Sequence, residues 1–335
     1  MDIGMIRLAA LALLATPAAA QQAPPPQPPP AQAPRQVATI DTDSTRDIVT
    51  TEDDDRITVP VSVGGRGPYR FLIDTGAERT VIAAELAANL GLADSGTVRL
   101  HSISGEDRVP TVSLTDLDHG SGLMPLVRAP SLPIRFLGAD GILGIDSLEN
   151  KRLTIDFRKQ TMTIGDARKR VEQWDDDVIV VRAKRRYGQL ILVDAAVDGQ
   201  KVAVILDTGT QVSVGNLALE RRLTGRRTTR AAVPITITSV TGGQLTANYT
   251  AIRKIRVGGA ILTDMPVAFA DLHSFKILDL IDRPALLLGM DALALFDRVS
   301  VDFANKKARF DMPDTGSRPL PGSRMAARGG PKPVR

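Results

Sequence analysis

Between Ile57 and Val63 apolar and polar side chains alternate, the period of a half-buried strand. Gly64-Gly-Arg-Gly67 follows as a hairpin turn signal. An apolar run, Tyr69-Arg-Phe-Leu-Ile73, then leads into Asp74-Thr75-Gly76-Ala77, and the chain leaves through Thr80-Val-Ile82. The pattern recurs. Leu190 to Val197 predicts a strand, Asp198-Gly199 a two-residue hairpin turn, Val202 to Leu206 the returning strand, and Asp207-Thr208-Gly209-Thr210 a second turn, left through Ser213-Val214. Each aspartate is therefore expected at the end of the second arm of a hairpin.

The two halves stay parallel further on. Ala83 to Leu90 predicts a short helix with Gly91 as its C-terminal cap, and Asn216 is the N-cap of a helix over Leu217 to Leu223. Further strands are expected over Thr97 to Ile103, closing on Gly105, and over Ile235 to Val240, closing on Gly242-Gly243. Each half ends on a second shared signature, Asp140-Gly-Ile-Leu-Gly144-Ile-Asp146-Ser-Leu148 and Ala285-Leu-Leu-Leu-Gly289-Met-Asp291-Ala-Leu293. Both run on into a strand closing in Asp-Phe, at Asp156-Phe157 and Asp302-Phe303. The distance from aspartate to closing glycine is 144 − 74 = 70 in the first half and 289 − 207 = 82 in the second. One duplicated unit accounts for the common order of elements.

Two carboxylates delivered identically by two halves of one chain can meet at a pseudo-twofold axis. Like charges at short range do not both ionise easily, so one proton is shared and the pair titrates as a unit. The charged member can then take a proton from water while the protonated one donates to a carbonyl, with no metal, serine or cysteine. The tripeptide alone carries little weight: a third copy, Asp314-Thr315-Gly316, sits among Pro and Arg with no flanking strand. Asp and Gly favour turns, and the first two copies differ from the third by their shared strand context.

In these motifs the chain resembles the pepsin-like and retropepsin-like aspartic proteases. The match covers roughly residues 56 to 312, and the Leu-Gly-x-Asp-x-Leu form is closer to bacterial retropepsin-like domains in tandem. The resemblance implies an all-β, bilobal acid-protease fold with short helices, and an active-site cleft between two β-barrel-like lobes. Asp74 and Asp207 would be the catalytic pair. Thr75 and Thr208 would brace the opposite loop, and Gly76 and Gly209 would let the backbone pass close to the carboxylates. Thr80 and Ser213 would support the loops from behind, and Gly144 and Gly289 would pack beneath them. Of the residues that follow the glycines, Thr210 carries a hydroxyl able to stabilise a carboxylate and Ala77 does not. This predicts a less stabilised Asp74 anion and activity nearer neutral pH. No pepsin-like Tyr-Gly flap pair occurs; His101 to Gly105 and Ser239 to Gly243 are the flap candidates. The implied partner is an extended polypeptide substrate bound to a monomer, without cofactor or metal.

The ends add an export reading. Residues 1–20, with Arg7, an apolar Leu8 to Ala15 and Ala18-Ala19-Ala20, predict a signal peptide, its apolar stretch too short to span a membrane, and hence a secreted, periplasmic protein. Residues 21–55 form a Pro- and Gln-rich spacer or pro-segment, 56–165 the first lobe, 166–187 a charged connector with a strand at Val178 to Val181, 188–312 the second lobe, and 313–335 a basic unstructured tail. The chain has no cysteine, so disulfides and a lipid-anchored cysteine are excluded. Its net charge of +4 with only 4% aromatic residues argues against a nucleic-acid partner. His101, His119 and His273 lack metal-ligand spacing, and the acidic run from Asp41 to Glu52 has Arg46 where a calcium loop needs Gly. The rival readings are a non-catalytic peptide-binding protein on the same fold, or an envelope protein tethered by its tail.

Overall fold

The computed structural model describes residues 56–167, 178–186, 188–224 and 232–313, together with backbone segments at 5–7, 11–12, 47–49, 52–53 and 324–327. The leader, the spacer, the acidic run, the middle of the connector, the basic tail and the third Asp-Thr-Gly fall wholly or almost wholly outside these residues. Among the described residues no helix is long and apolar enough to cross a membrane.

The first lobe comprises β1 (Arg56–Val63), β2 (Arg66–Ile73), β3 (Val81–Ala83), α1 (Ala84–Leu90), β4 (Asp94–Ser102), β5 (Gly105–Asp118), β6 (Leu123–Leu132), α2 (Ile134–Leu137), β7 (Gly141–Leu143) and α3 (Ile145–Leu148). Its sheet runs β4-β5-β6-β3-β7-β2-β1, and β1 also pairs with β5, which curls it towards a barrel. Gly64 and Gly65, both at positive φ, make the β1–β2 turn, and Gly91 closes α1 in the left-handed conformation at φ 66°.

Three strands lead between the lobes: β8 (Lys151–Asp156), β9 (Thr161–Asp166) and β10 (Ile179–Arg186). The second lobe repeats the first with β11 (Gln189–Leu192), β12 (Ala195–Val197), β13 (Gln200–Lys201), β14 (Ala203–Leu206), β15 (Val214–Gly215), α4 (Leu217–Thr224), β16 (Val233–Ser239), β17 (Gln244–Val257), β18 (Ala260–Phe269), α5 (His273–Ile277), β19 (Ala285–Leu288), α6 (Met290–Leu293), β20 (Arg298–Asp302) and β21 (Lys307–Asp311). The predicted single strand from Leu190 to Val197 is broken at Val193-Asp194, where β11 turns to β14 and β12 to β17. Asp198 (φ 45°) and Gly199 (φ 82°) form the predicted tight turn, and Asn216 Oδ1 accepts from Leu219 N at 2.9 Å as the N-cap of α4. The closing signatures form the one-turn helices α3 and α6 and then run on into β8 and β20, the expected strands.

An antiparallel sheet ordered β9-β8-β20-β21-β10 joins the lobes. Connector residues 183–186 belong to its strand β10, beyond the predicted Val178 to Val181, and pair there with β11. The apolar core is continuous from lobe to lobe, with Phe71, Phe269, Phe296 and Phe310 fully buried.

Candidate active site

In each lobe a parallel strand pair ends at an aspartate. β2 lies beside β7 and β14 beside β19, so Asp74 N donates to Leu143 O at 3.0 Å and Asp207 N to Leu288 O at 3.1 Å. Both chains then turn sharply. Asp74 Oδ1 accepts from Gly76 N at 2.7 Å and Ala77 N at 3.0 Å, and Asp207 Oδ1 accepts from Gly209 N at 2.9 Å. Both aspartates are 0% exposed.

The two loops are tied to each other. Thr75 Oγ1 donates to Leu206 O at 2.8 Å and Thr208 Oγ1 to Ile73 O at 2.7 Å, while each threonine oxygen receives the opposite threonine N–H at 3.1 and 3.2 Å. This reciprocal lattice holds the ends of β2 and β14 together across 133 residues. It leaves no room for a side chain at the glycines: a Cβ on Gly76 would stand 2.5 Å from Asp207 Oδ2, and one on Gly209 2.6 Å from Asp74 Oδ1.

The carboxyls are electrostatically coupled. Burial, then the charge of Asp74, then a side-chain hydrogen bond with Asp74 push the Asp207 carboxyl well above the usual carboxylate range, against the opposing pull of the Gly209 and Thr210 N–H groups. Two carboxyls coupled in this way lose their protons in two steps that belong to the pair.

A support layer lies behind each loop. Thr80 donates through N and Oγ1 to Asp146 at 2.9 and 2.8 Å, and Ser213 donates likewise to Asp291 at 3.0 and 2.7 Å. The same hydroxyls receive Gly144 N at 3.3 Å and Gly289 N at 3.1 Å. Gly144 and Gly289 lie directly against the loops: a Cβ would meet Arg79 C at 2.5 Å or Val212 C at 2.9 Å. Asp146 and Asp291 are not among the sequence-derived candidates, and the signal for them is their recurrence in both copies of the closing signature. Burial raises both carboxyls above the ordinary range, and the Thr80 and Ser213 hydrogen bonds oppose it.

One expectation fails. Thr210 Oγ1 donates to Val212 O at 3.0 Å and not to the Asp207 carboxylate. A carbonyl two residues ahead in the same turn satisfies the hydroxyl locally. The Ala77/Thr210 difference therefore supplies no stabilising hydroxyl to one carboxylate, and the argument for activity nearer neutral pH falls with it.

Both flap candidates are hairpin tips, and they meet. The tip between β4 and β5 touches the tip between β16 and β17 through Ser104 Oγ to Ser239 Oγ at 3.0 Å and Thr241 Oγ1 to Ser102 Oγ at 3.3 Å. His273 N, at the start of α5, donates to Ile103 O at 2.9 Å, and His101 Nδ1 lies 2.8 Å from His273 Nε2 with the rings stacked. Sequence spacing hides this histidine pair, whose members stand 172 residues apart. His119 sits elsewhere, buried beside Ser121.

One further side chain reaches the first loop without a signal in the repeat: Gln189, at the start of β11, donates from Nε2 to Gly76 O at 2.6 Å.

A family model described as "Aspartyl protease" matches the chain twice, at residues 59–147 and 193–292, one segment in each lobe and each containing one of the two buried aspartates. No curated protein matches the chain.

Proposed function

From the premise that this chain belongs to the aspartyl protease family, as a tandem duplication of the retropepsin-like unit, we propose that it is an exported, monomeric endopeptidase. It hydrolyses peptide bonds of extended polypeptides with water activated between Asp74 and Asp207. The observation that carries this reading is the coupling of two fully buried carboxyls held in register by the Thr75–Thr208 lattice. The ionised member takes a proton from water as it attacks the scissile carbonyl. The protonated member donates to the carbonyl oxygen, giving a tetrahedral diol. The leaving amine then takes a proton as the C–N bond breaks. A peptide library incubated with the protein at several pH values, beside the Asp74→Asn/Asp207→Asn double variant, tests the reading; cleavage by the double variant equal to that of the native chain would refute it. Binding of an extended peptide without cleavage by the native protein would favour the non-catalytic reading.

Both carboxyls are solvent-inaccessible, and the proposed route of a substrate to them is the parting of the two hairpin tips. The chain has no cysteine, so Ser104→Cys/Ser239→Cys introduces one clean pair where the native oxygens lie 3.0 Å apart. Oxidation of this variant is expected to abolish turnover, and reduction to restore it. Full activity of the oxidised form, its disulfide verified by mass, would contradict the gating.

The coupled pair also marks the stability profile. A carboxyl whose folded pKa is raised contributes stability that is present below its unfolded value, about 4, and lost as pH rises through the folded value. Asp207 falls in this class. Asp207→Asn is therefore expected to raise Tm relative to the native chain by about 2 °C or more at pH 7, with a smaller gain at pH 4. Calorimetry at both pH values checks this, and a gain confined to pH 4 would contradict the sign.

A further inference from the structure

Gln189 enters the first loop from the second lobe's side. It opens β11 just after Gly188 (φ +83°), where an added Cβ would lie 3.7 Å from the Ile145 side chain. Gln189 is buried, at 5% exposure. Only the NH2 end of an amide can sit 2.6 Å from the carbonyl oxygen of Gly76, which fixes the amide's orientation.

That carbonyl belongs to the Gly76–Ala77 peptide unit, and the N–H of the same unit donates to Asp74 Oδ1 at 3.0 Å. A donor on the oxygen of a peptide polarises it and strengthens its N–H as a donor, the more so where water is excluded. The hydrogen bonds thus run in series from Gln189 Nε2 through the peptide to the Asp74 carboxylate. The position lies 207 − 189 = 18 residues before its own lobe's aspartate, and the position 18 before the other, since 74 − 18 = 56, holds Arg56. The duplicated scaffold carries different chemistry at the two equivalent points.

We infer that Gln189 is a positioning residue that, acting through the Gly76–Ala77 peptide, makes Asp74 the ionised, proton-accepting member of the pair and leaves Asp207 as the proton donor. The raised carboxyl of Asp207 agrees with that division. The other titratable groups of the site bear on it as follows. Asp207 faces Asp74 directly, Asp146 stands behind the first loop with the Arg79 charge acting on it, and Asp291 stands behind the second. Gln189 carries no charge, so its effect is a hydrogen-bond effect and is insensitive to salt. This inference rests on the endopeptidase reading for its kinetic consequence alone.

The test uses the full chain with Gln189→Leu, and with Gln189→Met, unbranched and of similar length, should the leucine variant not fold. Removing the donor weakens the Ala77 N–H bond to the Asp74 anion, so the acid limb of the kcat/KM profile moves to higher pH, on the order of half a unit, with KM within about twofold. A second readout needs no turnover. With carbon-13 in the aspartate carboxyls, NMR titration follows Asp74 alone in an Asp207→Asn background and Asp207 alone in an Asp74→Asn background. The Gln189 variant should raise the Asp74 titration and leave that of Asp207 in place. An unmoved Asp74 titration, or equal movement of both, overturns the inference. A native chain that cleaves nothing while Asp74 still shifts overturns the endopeptidase reading and keeps the role of Gln189.

Discussion

Asp74→Asn and Asp207→Asn will each lower peptide hydrolysis by a factor on the order of 10⁴ or more, with the fold unchanged. An asparagine keeps an oxygen where Asp74 Oδ1 now accepts from Gly76 N and Ala77 N at 2.7 and 3.0 Å, and where Asp207 Oδ1 accepts from Gly209 N at 2.9 Å, so the loop geometry survives. It also removes the like-charge cost in the buried pair, so the variant is no less stable. The amide cannot hold the proton that passes between water, carboxyl and leaving amine, and neither remaining carboxylate has a partner with which to divide acid and base roles. Loss of both variants' activity with native circular dichroism and an undiminished Tm is the expected result. Retention of a tenth or more of native turnover by either one would show that the carboxyls do not act as a pair.

Gly209→Ala and Gly76→Ala will reduce activity by about 100-fold or more, the scale expected when reacting groups are displaced by an ångström. A methyl at position 76 would lie 2.5 Å from Asp207 Oδ2, and one at 209 would lie 2.6 Å from Asp74 Oδ1. The Thr75–Thr208 lattice gives the loops no freedom to retreat, so the carboxyls must part. Overpacking of this kind costs about 1–3 kcal/mol, so Tm falls as well. Gly165→Ala is the matched control, since a Cβ there meets nothing within 4 Å, and it should leave turnover and Tm unaltered. Equal activity in Gly209→Ala and Gly165→Ala would contradict the close approach of the loops.

The hairpins, the helices after each aspartate and the closing signatures were legible because each rests on local period and turn chemistry. Alternating Ile57 to Val63, the Asp198-Gly199 turn and the Asn216 cap act within a few residues of themselves. The broken strand at Val193-Asp194 was not legible, because its halves pair with β14 and β17 and only tertiary partners decide the break. Helices α3 and α6 are four residues each, too short to show a 3.6-residue period. The repeat brought out both aspartates and their Thr-Gly neighbours. It could not bring out Gln189, whose mate is Arg56, or the meeting of Ser104 with Ser239 and of His101 with His273, which joins segments 135 and 172 residues apart. The Thr210 hydroxyl departs from expectation because a residue type limits what it can bond, while the nearest acceptor, here Val212 O, decides.

The most direct test is a crystal structure of the protein with a peptide that carries a tetrahedral hydroxyl at the scissile position, collected near pH 5. The account predicts the hydroxyl within hydrogen-bond distance of both Asp74 and Asp207, with the peptide extended beneath the parted hairpin tips. A peptide bound elsewhere, or held by one carboxyl while the other points away, would contradict it.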